Sequence, residues 1–336
     1  MKFIRPIRAS DLNALVHMAE HAGAGFTSLP PVPEFLQKKI ELSENSFARS
    51  VAEPGHERYM FVVEDTDNGE IGGCCAVEAA CGLDEAFYNY KIGLTVHACR
   101  ELNVYNKFPT LYLSNDYTGT SVLCSLYLAP EFRSGGAGRL LSKCRFMFMA
   151  QHPHRFAQRV IAEMRGISDA QGHSPFWESL GRHFFGIEYD RAEHLVGMGN
   201  KSFIAELMPQ HPVYAILLSP EARQVMGKVH PDTAPALHLL EQEGFRAQQY
   251  IDIFDGGPTV EAPLGDIRTV RRSNLRTVRI GEPEAGPQCL VANTEDREFR
   301  CSLERIQVGD TELILSGACA QALQLKDGDN ARVSQL

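Results

Sequence analysis

The sequence has no excess of basic residues, because its 33 lysines and arginines are outnumbered by 42 aspartates and glutamates, for a formal net charge of −9. General nucleic-acid binders need clustered cations to neutralise the phosphate backbone. The composition therefore argues against that class, and any anion must be bound locally. A length of 336 residues and a hydrophobic content of 44% instead predict a globular protein of about two domains.

Long apolar runs are also missing. No stretch approaches the roughly 20 apolar residues of a membrane-spanning helix, and Arg5, Arg8 and Asp11 interrupt the segment where a signal peptide would be apolar. We therefore expect a cytoplasmic protein without membrane association. The nine cysteines include no C-x-x-C pair, and several lie in apolar strand-like runs, which predicts buried, reduced thiols.

Apolar periodicity and turn residues predict an α/β (α+β) chain that opens in the order β-α-α-β-β. The segments that follow these elements are a strand-rich insertion, a strand over 121–130, a glycine turn, a helix over 139–151, a strand over 159–166 and a short helix within 174–186 that ends near Gly181. The predicted division is a first α/β domain at 1–198, a second lobe at 199–255 that is a candidate degenerate repeat of the first, and a β-rich, barrel-like module at 256–336.

The stretch "EFRSGGAGRLL" at 131–141 places Gly135, Gly136 and Gly138 between the predicted strand and helix. Glycines let backbone amides approach a ligand closely, and a helix N-terminus offers unpaired N–H donors to an anion. The stretch therefore predicts a phosphate-binding loop. No G-x-x-x-x-G-K-[ST] sequence is present, which argues against a P-loop NTPase.

A dinucleotide-binding G-x-G-x-x-G is matched only in part, because Leu141 takes the place of its third glycine. The remaining pattern is Arg133-x-x-Gly136-x-Gly138 between a strand and a helix. This pattern and the predicted order of elements resemble the pyrophosphate loop and topology of the GNAT acyltransferase superfamily. The resemblance implies a GNAT-like acyl-CoA N-acyltransferase fold that binds coenzyme A.

Longer motifs narrow the resemblance to one family. The chain resembles the arginine N-succinyltransferase family in nine stretches: "TSLP" (27–30), "LNVYN" (102–106), "LYLSND" (111–116), "LSKCRFMFMA" (141–150), "AEMRG" (162–166), "SPFWESLG" (174–181), "FIAELMP" (203–209), "VHPDTAPA" (229–236) and "YIDIFDGGPT" (250–259). Residues 260–336 are less distinctive.

The family resemblance implies that a succinyl group passes from succinyl-CoA to the α-amine of L-arginine, giving N2-succinylarginine and CoA in the first step of arginine catabolism. The family also includes paired subunits that act on ornithine. We therefore predict succinyl-CoA as co-substrate, no permanently bound cofactor, and assembly as a homo-oligomer or with a paralogous subunit.

His230 is the candidate proton donor. Histidine titrates near neutral pH and suits proton transfer at an amine or a thiolate. Pro231 favours extended geometry at His230, and Asp232 or Thr233 is expected to cap a helix that begins with Pro235. The family resemblance assigns the histidine of the "VHP" motif as proton donor.

Other candidates come from the resemblance and from charge. The family contact to succinyl-CoA maps onto Leu126, with Leu128 as the alternative, and only the backbone amide of the strand would act on the oxyanion. Charge suggests Arg165 for the succinyl carboxylate. Four acidic residues are candidates for the guanidinium of arginine: Asp116, Glu163, Asp252 and Asp255.

His17, Glu20 and His21 spell H-x-x-E-H, an inverted zinc-peptidase pattern. No further ligand follows downstream, so we expect a solvated helix face and no metal site. Three functions remain open from the sequence. They are succinyl transfer to arginine, acyl transfer by a relative that uses another donor or an amine such as ornithine, and a non-catalytic subunit that binds CoA.

Overall fold

A computed structural model of the chain describes residues 1–22, 28–169, 171–198, 202–284 and 286–336. Its helices are α1 Leu12–His21, α2 Pro33–Ala48, α3 Ala137–Gln151, α4 Pro175–Ser179, α5 Gly181–Phe185, α6 Tyr189–Gly197, α7 Ser202–Leu207, α8 Pro220–Val225, α9 Ala234–Glu243, α10 Arg268–Arg272 and α11 Gly317–Ala322. The first residue of the "TSLP" motif, residue 27, lies outside the described ranges.

The strands of the described residues are β1 Lys2–Pro6, β2 Arg58–Asp65, β3 Ile71–Glu78, β4 Asn89–Cys99, β5 Val104–Ser114, β6 Ser121–Leu128, β7 Arg159–Glu163, β8 Val213–Tyr214, β9 Arg246–Ile251, β10 Pro258–Pro263, β11 Asn274–Ile280, β12 Gln288–Ala292, β13 Cys301–Arg305, β14 Gln307–Val308, β15 Glu312–Leu315 and β16 Asn330–Gln335. They form one mixed sheet in the order β14-β15-β11-β16-β12-β13-β1-β2-β3-β6-β7-β10-β9-β4-β5-β8.

The N-terminal part of the chain has the predicted order β1-α1-α2-β2-β3. Helices α1 and α2 cover one face of the sheet, and α3 covers the other. Alternation along β2 explains the two faces, because successive side chains of a strand point to opposite sides. Met60 and Val62 pack with α1 and α2, whereas Tyr59 and Phe61 pack with α3. The predicted α/β class is confirmed.

One prediction for the middle of the chain needs an addition. The short helix expected to end near Gly181 is α4, which ends at Ser179, and a second helix, α5, follows after Leu180. Gly181, the first residue of α5, lies against the ring of Trp177, where an added Cβ would be 2.2 Å from the ring carbon Cε3. Glycine, which has no Cβ, therefore allows the backbone to lie this close to the indole ring.

The parallel strands β6 and β7 pair only at their beginnings. Their ladder consists of Ser121 opposite Val160 and Val122 opposite Ile161, although β6 continues for six more residues. β6 remains paired with β3 on its other edge, and β7 with β10. The two strands therefore separate toward their carboxyl ends, which leaves an opening in the centre of the sheet.

The C-terminal residues form the predicted β-rich module. Strands β11 to β16 and α11 enclose a separate apolar core that includes Val278, Leu313 and Leu323. The module continues the main sheet through β13, in which Ser302 pairs with Phe3 of β1. The predicted boundaries at 198 and 255 and the barrel shape stay predictions.

A buried ion pair joins three helices behind the opening. Lys143 of α3 donates to the Glu243 carboxylate of α9 over 2.6 Å, and both side chains are almost fully buried. The other carboxylate oxygen of Glu243 accepts the Thr269 N–H of α10 at 2.7 Å. Because a buried charge is tolerated only when it is paired, these contacts fix α9 relative to α3.

Candidate active site

The strand β6 is irregular where it borders the opening. Cys74 pairs with Tyr127 and Ala76 with Cys124, so that Cys75 faces two residues, Ser125 and Leu126. This is a β-bulge, which disrupts the regular ladder of hydrogen bonds and redirects the groups around it. The bulge places Leu126, predicted from the family resemblance, at the irregular position of the strand.

The glycine loop follows β6 directly and leads into α3. Gly135 and Gly136 have φ values of +62° and +83°, in the left-handed region that favours glycine. A Cβ at Gly136 would also lie 2.8 Å from Leu303 Cδ2. Both glycines are therefore required by the backbone path of the turn.

The loop presents amide donors at the start of α3. The first regular bond of the helix runs from the Leu140 N–H to the Gly136 carbonyl, and the Ala137 N–H donates to the Ser134 carbonyl. The amides of Gly138 and Arg139 precede the regular ladder, as is usual at a helix N-terminus. A helix start of this kind suits the oxygens of a diphosphate.

Cationic side chains accompany these amides. Arg133 is exposed, and its Nε donates to the Leu128 carbonyl at 3.2 Å, so the side chain folds back toward the end of β6. Lys2 Nζ donates to the Phe132 carbonyl at 3.0 Å and to Ser134 Oγ at 3.2 Å. Two cationic side chains, those of Arg133 and Lys2, therefore lie at the glycine loop.

His230 lies beside the end of β7. Its backbone N–H donates to the Arg165 carbonyl at 2.8 Å, and its side chain is only 15% exposed. Thr233 stands at the N-cap position of α9, as predicted, but its side chain makes no capping hydrogen bond. His230 Nδ1 itself accepts the Asp232 N–H at 3.2 Å and caps a 3-10 turn that runs directly into α9.

This cap determines the tautomer of the neutral ring. Nδ1 is used as an acceptor, so the proton of the neutral imidazole of His230 resides on Nε2. The Asp232 carboxylate lies 3.7 Å from Nδ1 and offers an acceptor if the ring gains a second proton. The arrangement leaves Nε2 as the nitrogen that is available for proton transfer.

A pocket of about 160 Å³, which we call the acidic pocket, lies at the end of β7. It is lined by Ala86, Phe87, Tyr88, Glu163, Met164, Arg165, Glu193, Val196, Ile204, Asp252, Ile253, Phe254 and Asp255. The structure thus brings together four of the five residues that charge alone suggested for substrate binding.

The fifth, Asp116, is not among the lining residues. Its carboxylate accepts the Tyr250 hydroxyl at 2.6 Å and lies 3.4 Å from Lys91 Nζ. The Tyr250 hydrogen bond, with Ser114 and Lys91, lowers the pKa of Asp116. The Asp116 carboxylate is therefore satisfied by protein groups and does not need a ligand.

Within the acidic pocket the carboxylates differ in their partners. Asp255 accepts the Gly166 N–H at 2.5 Å and the Gly257 N–H at 2.7 Å, which joins the segments after β7 and β9. Glu163 accepts from Asn89 Nδ2 at 2.7 Å. Asp252 accepts the Phe254 and Asp255 amides. Burial raises the pKa values of both aspartates.

Glu193 of α6 is a pocket residue that the sequence did not reveal as a candidate. Burial raises the pKa of Glu193 to about 7, and repulsion from Asp252 acts in the same direction. The Tyr189 hydroxyl donates to its carboxylate. A signal was present in the sequence, because Glu193 follows the buried Tyr189 by four residues and so shares its helix face.

Comparison with known proteins identifies the family. The sequence profile of the family described as "Arginine N-succinyltransferase beta subunit" matches residues 2–269, and that of its C-terminal domain matches residues 274–335. The chain belongs to the arginine N-succinyltransferase family. The resemblance seen in the nine sequence motifs is thereby confirmed.

Individual relatives cover the whole chain. The "Arginine N-succinyltransferase" proteins of Salmonella paratyphi B and Salmonella newport are each 49% identical over 338 residues, covering 100% of this chain and 98% of theirs. Among solved structures, the arginine/ornithine succinyltransferase subunit AI from Pseudomonas aeruginosa has a TM-score of 0.92 at 39% identity. It is covered to 98%, and this chain to 100%.

Two further expectations from the sequence concern a metal site and a membrane-spanning helix. Within the described ranges, no group of three or more His, Cys, Asp or Glu side chains is placed to hold a metal ion. His17 and His21 of the H-x-x-E-H pattern stack on each other, with ring centroids 4.2 Å apart. None of the described helices is both long and apolar enough to cross a bilayer.

The glycine loop generates a test. Gly138→Asp should weaken CoA binding on the order of 100-fold, because a carboxylate would take the place of the phosphate at the start of α3. The fold should survive, since a Cβ at Gly138 meets only Leu128 Cδ2 at 3.8 Å and an acidic residue in the first turn favours a helix.

Isothermal titration calorimetry with CoA measures the effect, and thermal unfolding checks the fold. Gly317→Asp is the matched control, because Gly317 begins α11 and has open space around its Cα. Equal CoA affinity of Gly138→Asp and Gly317→Asp would contradict the assignment of the loop.

Proposed function

We propose that this protein transfers the succinyl group of succinyl-CoA to the α-amine of L-arginine, producing N2-succinylarginine and CoA. The observation that carries the proposal is the placement of the glycine loop at the start of α3 and of the acidic pocket at the carboxyl ends of β6 and β7. The glycine loop suits the anionic diphosphate of CoA, and the acidic pocket suits a cationic amino acid. Membership of the arginine N-succinyltransferase family supports the same reaction.

The donor would lie along the opening between the strands. Its diphosphate binds the amides of Gly135, Gly136 and Gly138 together with Arg133, and its thioester reaches the bulge on β6. The Leu126 N–H is the proposed donor to the thioester oxygen. That oxygen becomes negatively charged in the tetrahedral intermediate, and a fixed amide stabilises this charge without reorganisation.

The acceptor would place its guanidinium in the acidic pocket. Asp255 and Asp252 are each held by two backbone amides, so Glu193 and Glu163 are better placed to adapt to a cation. Arg165 is the proposed partner of the succinyl carboxylate. Its Nη2 bonds Ser168 Oγ at 2.9 Å, and its buried Nε has no hydrogen-bond partner among the described residues.

The chemistry is a direct transfer. The α-ammonium loses one proton to solvent and the amine attacks the thioester carbon. The tetrahedral intermediate collapses with cleavage of the C–S bond, and its nitrogen releases a second proton to solvent. The leaving CoA thiolate takes a proton from His230 Nε2. The donating ring is doubly protonated, with its Nδ1 proton held by the Asp232 carboxylate, so loss of the Nε2 proton leaves a neutral imidazole that regains a proton from solvent.

The proposal extends to the location, the assembly and the acceptor of the protein. We propose a cytoplasmic location, since all nine cysteines are free and free thiols are typical of reducing compartments. Assembly as a homo-oligomer or with a paralogous subunit stays a prediction. Ornithine is the second candidate acceptor, because the Pseudomonas relative is described as an arginine/ornithine succinyltransferase subunit.

The decisive experiment compares two donors and two acceptors. We expect kcat/KM with succinyl-CoA to exceed that with acetyl-CoA on the order of 100-fold, because acetyl-CoA leaves the buried partner of the carboxylate unsatisfied. Steady-state rates with arginine and ornithine rank the acceptors. Equal rates with both donors would favour a generic acyltransferase, and CoA binding without turnover would favour a non-catalytic subunit.

His230→Ala should lower kcat by roughly 10²–10⁴-fold while CoA and arginine binding remain nearly intact, since a general acid acts in the transition state. The variant should also lose one limb of the pH profile of kcat. His230→Gln keeps hydrogen bonding but cannot deliver a proton, so it should resemble the alanine variant. A folded variant with wild-type turnover would remove His230 from the mechanism.

Glu193 predicts a pH dependence of arginine binding. With a pKa of about 7, Glu193 is mostly neutral at pH 6 and mostly ionised at pH 8. A bound guanidinium favours the ionised form, so arginine affinity should rise about tenfold over this range, with proton release on binding. Calorimetry at saturating CoA, in buffers of different ionisation enthalpy, measures both quantities.

Glu193→Gln should bind arginine more weakly and without this pH dependence. Glu206→Gln is the matched control, because Glu206 is exposed on the neighbouring helix α7 and does not line the pocket. The hypothesis fails if the wild-type affinity is independent of pH or if Glu193→Gln retains the full pH response.

A further inference from the structure

Ser125 has an unusual backbone conformation at the bulge. Its φ is +54°, in the left-handed region that residues with a Cβ rarely adopt. A bulge whose first residue is left-handed is usually built with glycine at that position. A serine there must be held in place by contacts that glycine would not need.

These contacts converge on the side chain and the carbonyl of Ser125. Arg58 Nη2 donates to Ser125 Oγ at 2.9 Å, and Ser125 Oγ in turn donates to Ser28 Oγ at 3.1 Å. Cys74 Sγ donates to the Ser125 carbonyl at 3.4 Å. The hydroxyl is thus fixed as both acceptor and donor, from β2 and from the segment before α2.

Burying Arg58 beside Ser125 has a high cost in folding free energy. It is 4% exposed, its Nη1 pairs with Glu78 of β3, and its Nη2 also lies 3.6 Å from Cys124 Sγ. Its Nε has no hydrogen-bond partner among the described residues. Burying a guanidinium with one donor unsatisfied disfavours folding, and an apolar side chain would fill the space without this cost.

We propose that Arg58 is a positioning residue for acyl transfer, which holds the Ser125 hydroxyl and so keeps the bulge in the conformation that directs the Leu126 N–H at the thioester oxygen. Arg58 does not touch the reacting atoms. The inference rests on the proposed function, in which the Leu126 amide stabilises the oxyanion.

The kinetic effect expected of an Arg58 variant follows from the role of the Leu126 amide. An oxyanion donor stabilises the transition state more than the bound substrates. Loss of its alignment should therefore lower kcat and leave the KM values for succinyl-CoA and arginine within about twofold. A loss of stability alone would reduce the amount of folded enzyme but not the kcat of the folded fraction.

Ser125→Ala and Ser125→Gly separate backbone conformation from the hydroxyl contact. Glycine adopts the left-handed conformation without strain, so Ser125→Gly should retain kcat within about threefold even without the hydroxyl. Alanine keeps the strain and loses the anchor, so Ser125→Ala should lose kcat by roughly 10–100-fold. Gln324→Ala and Gln324→Gly are matched controls, because Gln324 has a φ of +58° in the C-terminal module and should leave kcat unchanged.

Arg58→Met completes the test. It should lower kcat about as much as Ser125→Ala in the wild-type background, and by less than about threefold in the Ser125→Gly background, because glycine no longer needs the anchor. If Arg58→Met does not fold, the comparison of Ser125→Ala with Ser125→Gly decides alone. Equal kcat for these two serine variants, or equal losses from Arg58→Met in both backgrounds, would overturn the proposal.

Wild-type turnover of succinyl-CoA with arginine is measured first in the same assay. No turnover would overturn the proposed function and the inference with it. Normal wild-type turnover together with indistinguishable serine variants would overturn only the positioning role of Arg58.

Discussion

The short ladder between β6 and β7 is the constraint on which the candidate active site depends. Two pairs of residues hold the strands together, and beyond Ile161 each strand is held only by its outer neighbour, β3 or β10. Parallel strands direct their carboxyl ends to the same edge of a sheet. The separation therefore opens the sheet where the glycine loop leaves β6 and the acidic pocket begins at β7.

The elements around the opening are fixed by buried polar contacts rather than by apolar packing alone. The ion pair of Lys143 with Glu243 connects the helix that begins at the glycine loop to the helix that follows His230. The His230 N–H is bonded to the carbonyl of Arg165, and Asp255 joins the segments on both sides of the pocket. Because such groups are costly to bury unpaired, each contact restricts its element to a narrow range of positions.

The local features of the site could be predicted from the sequence. Glycines between an apolar strand and an amphipathic helix indicate an anion loop, and Gly135 and Gly136 have the positive φ values that explain their residue type. The "VHP" motif singled out His230. The side-chain cap expected for α9 is not formed, because a 3-10 turn precedes the helix and the His230 ring accepts the first N–H of that turn.

The order of elements at the N-terminus, the glycine loop, the C-terminal β-rich module and, through long motifs, the family could all be predicted from the residues alone. Which charged side chains share a pocket could not be predicted, because it depends on contacts between distant segments. Asp116 and Asp252 look equally suitable as isolated carboxylates, but Asp116 is satisfied by Tyr250 and Lys91, whereas Asp252 lines the cavity with Glu193. The ladder break at Ser125 depends likewise on β3, because a bulge exists only relative to the strand it faces.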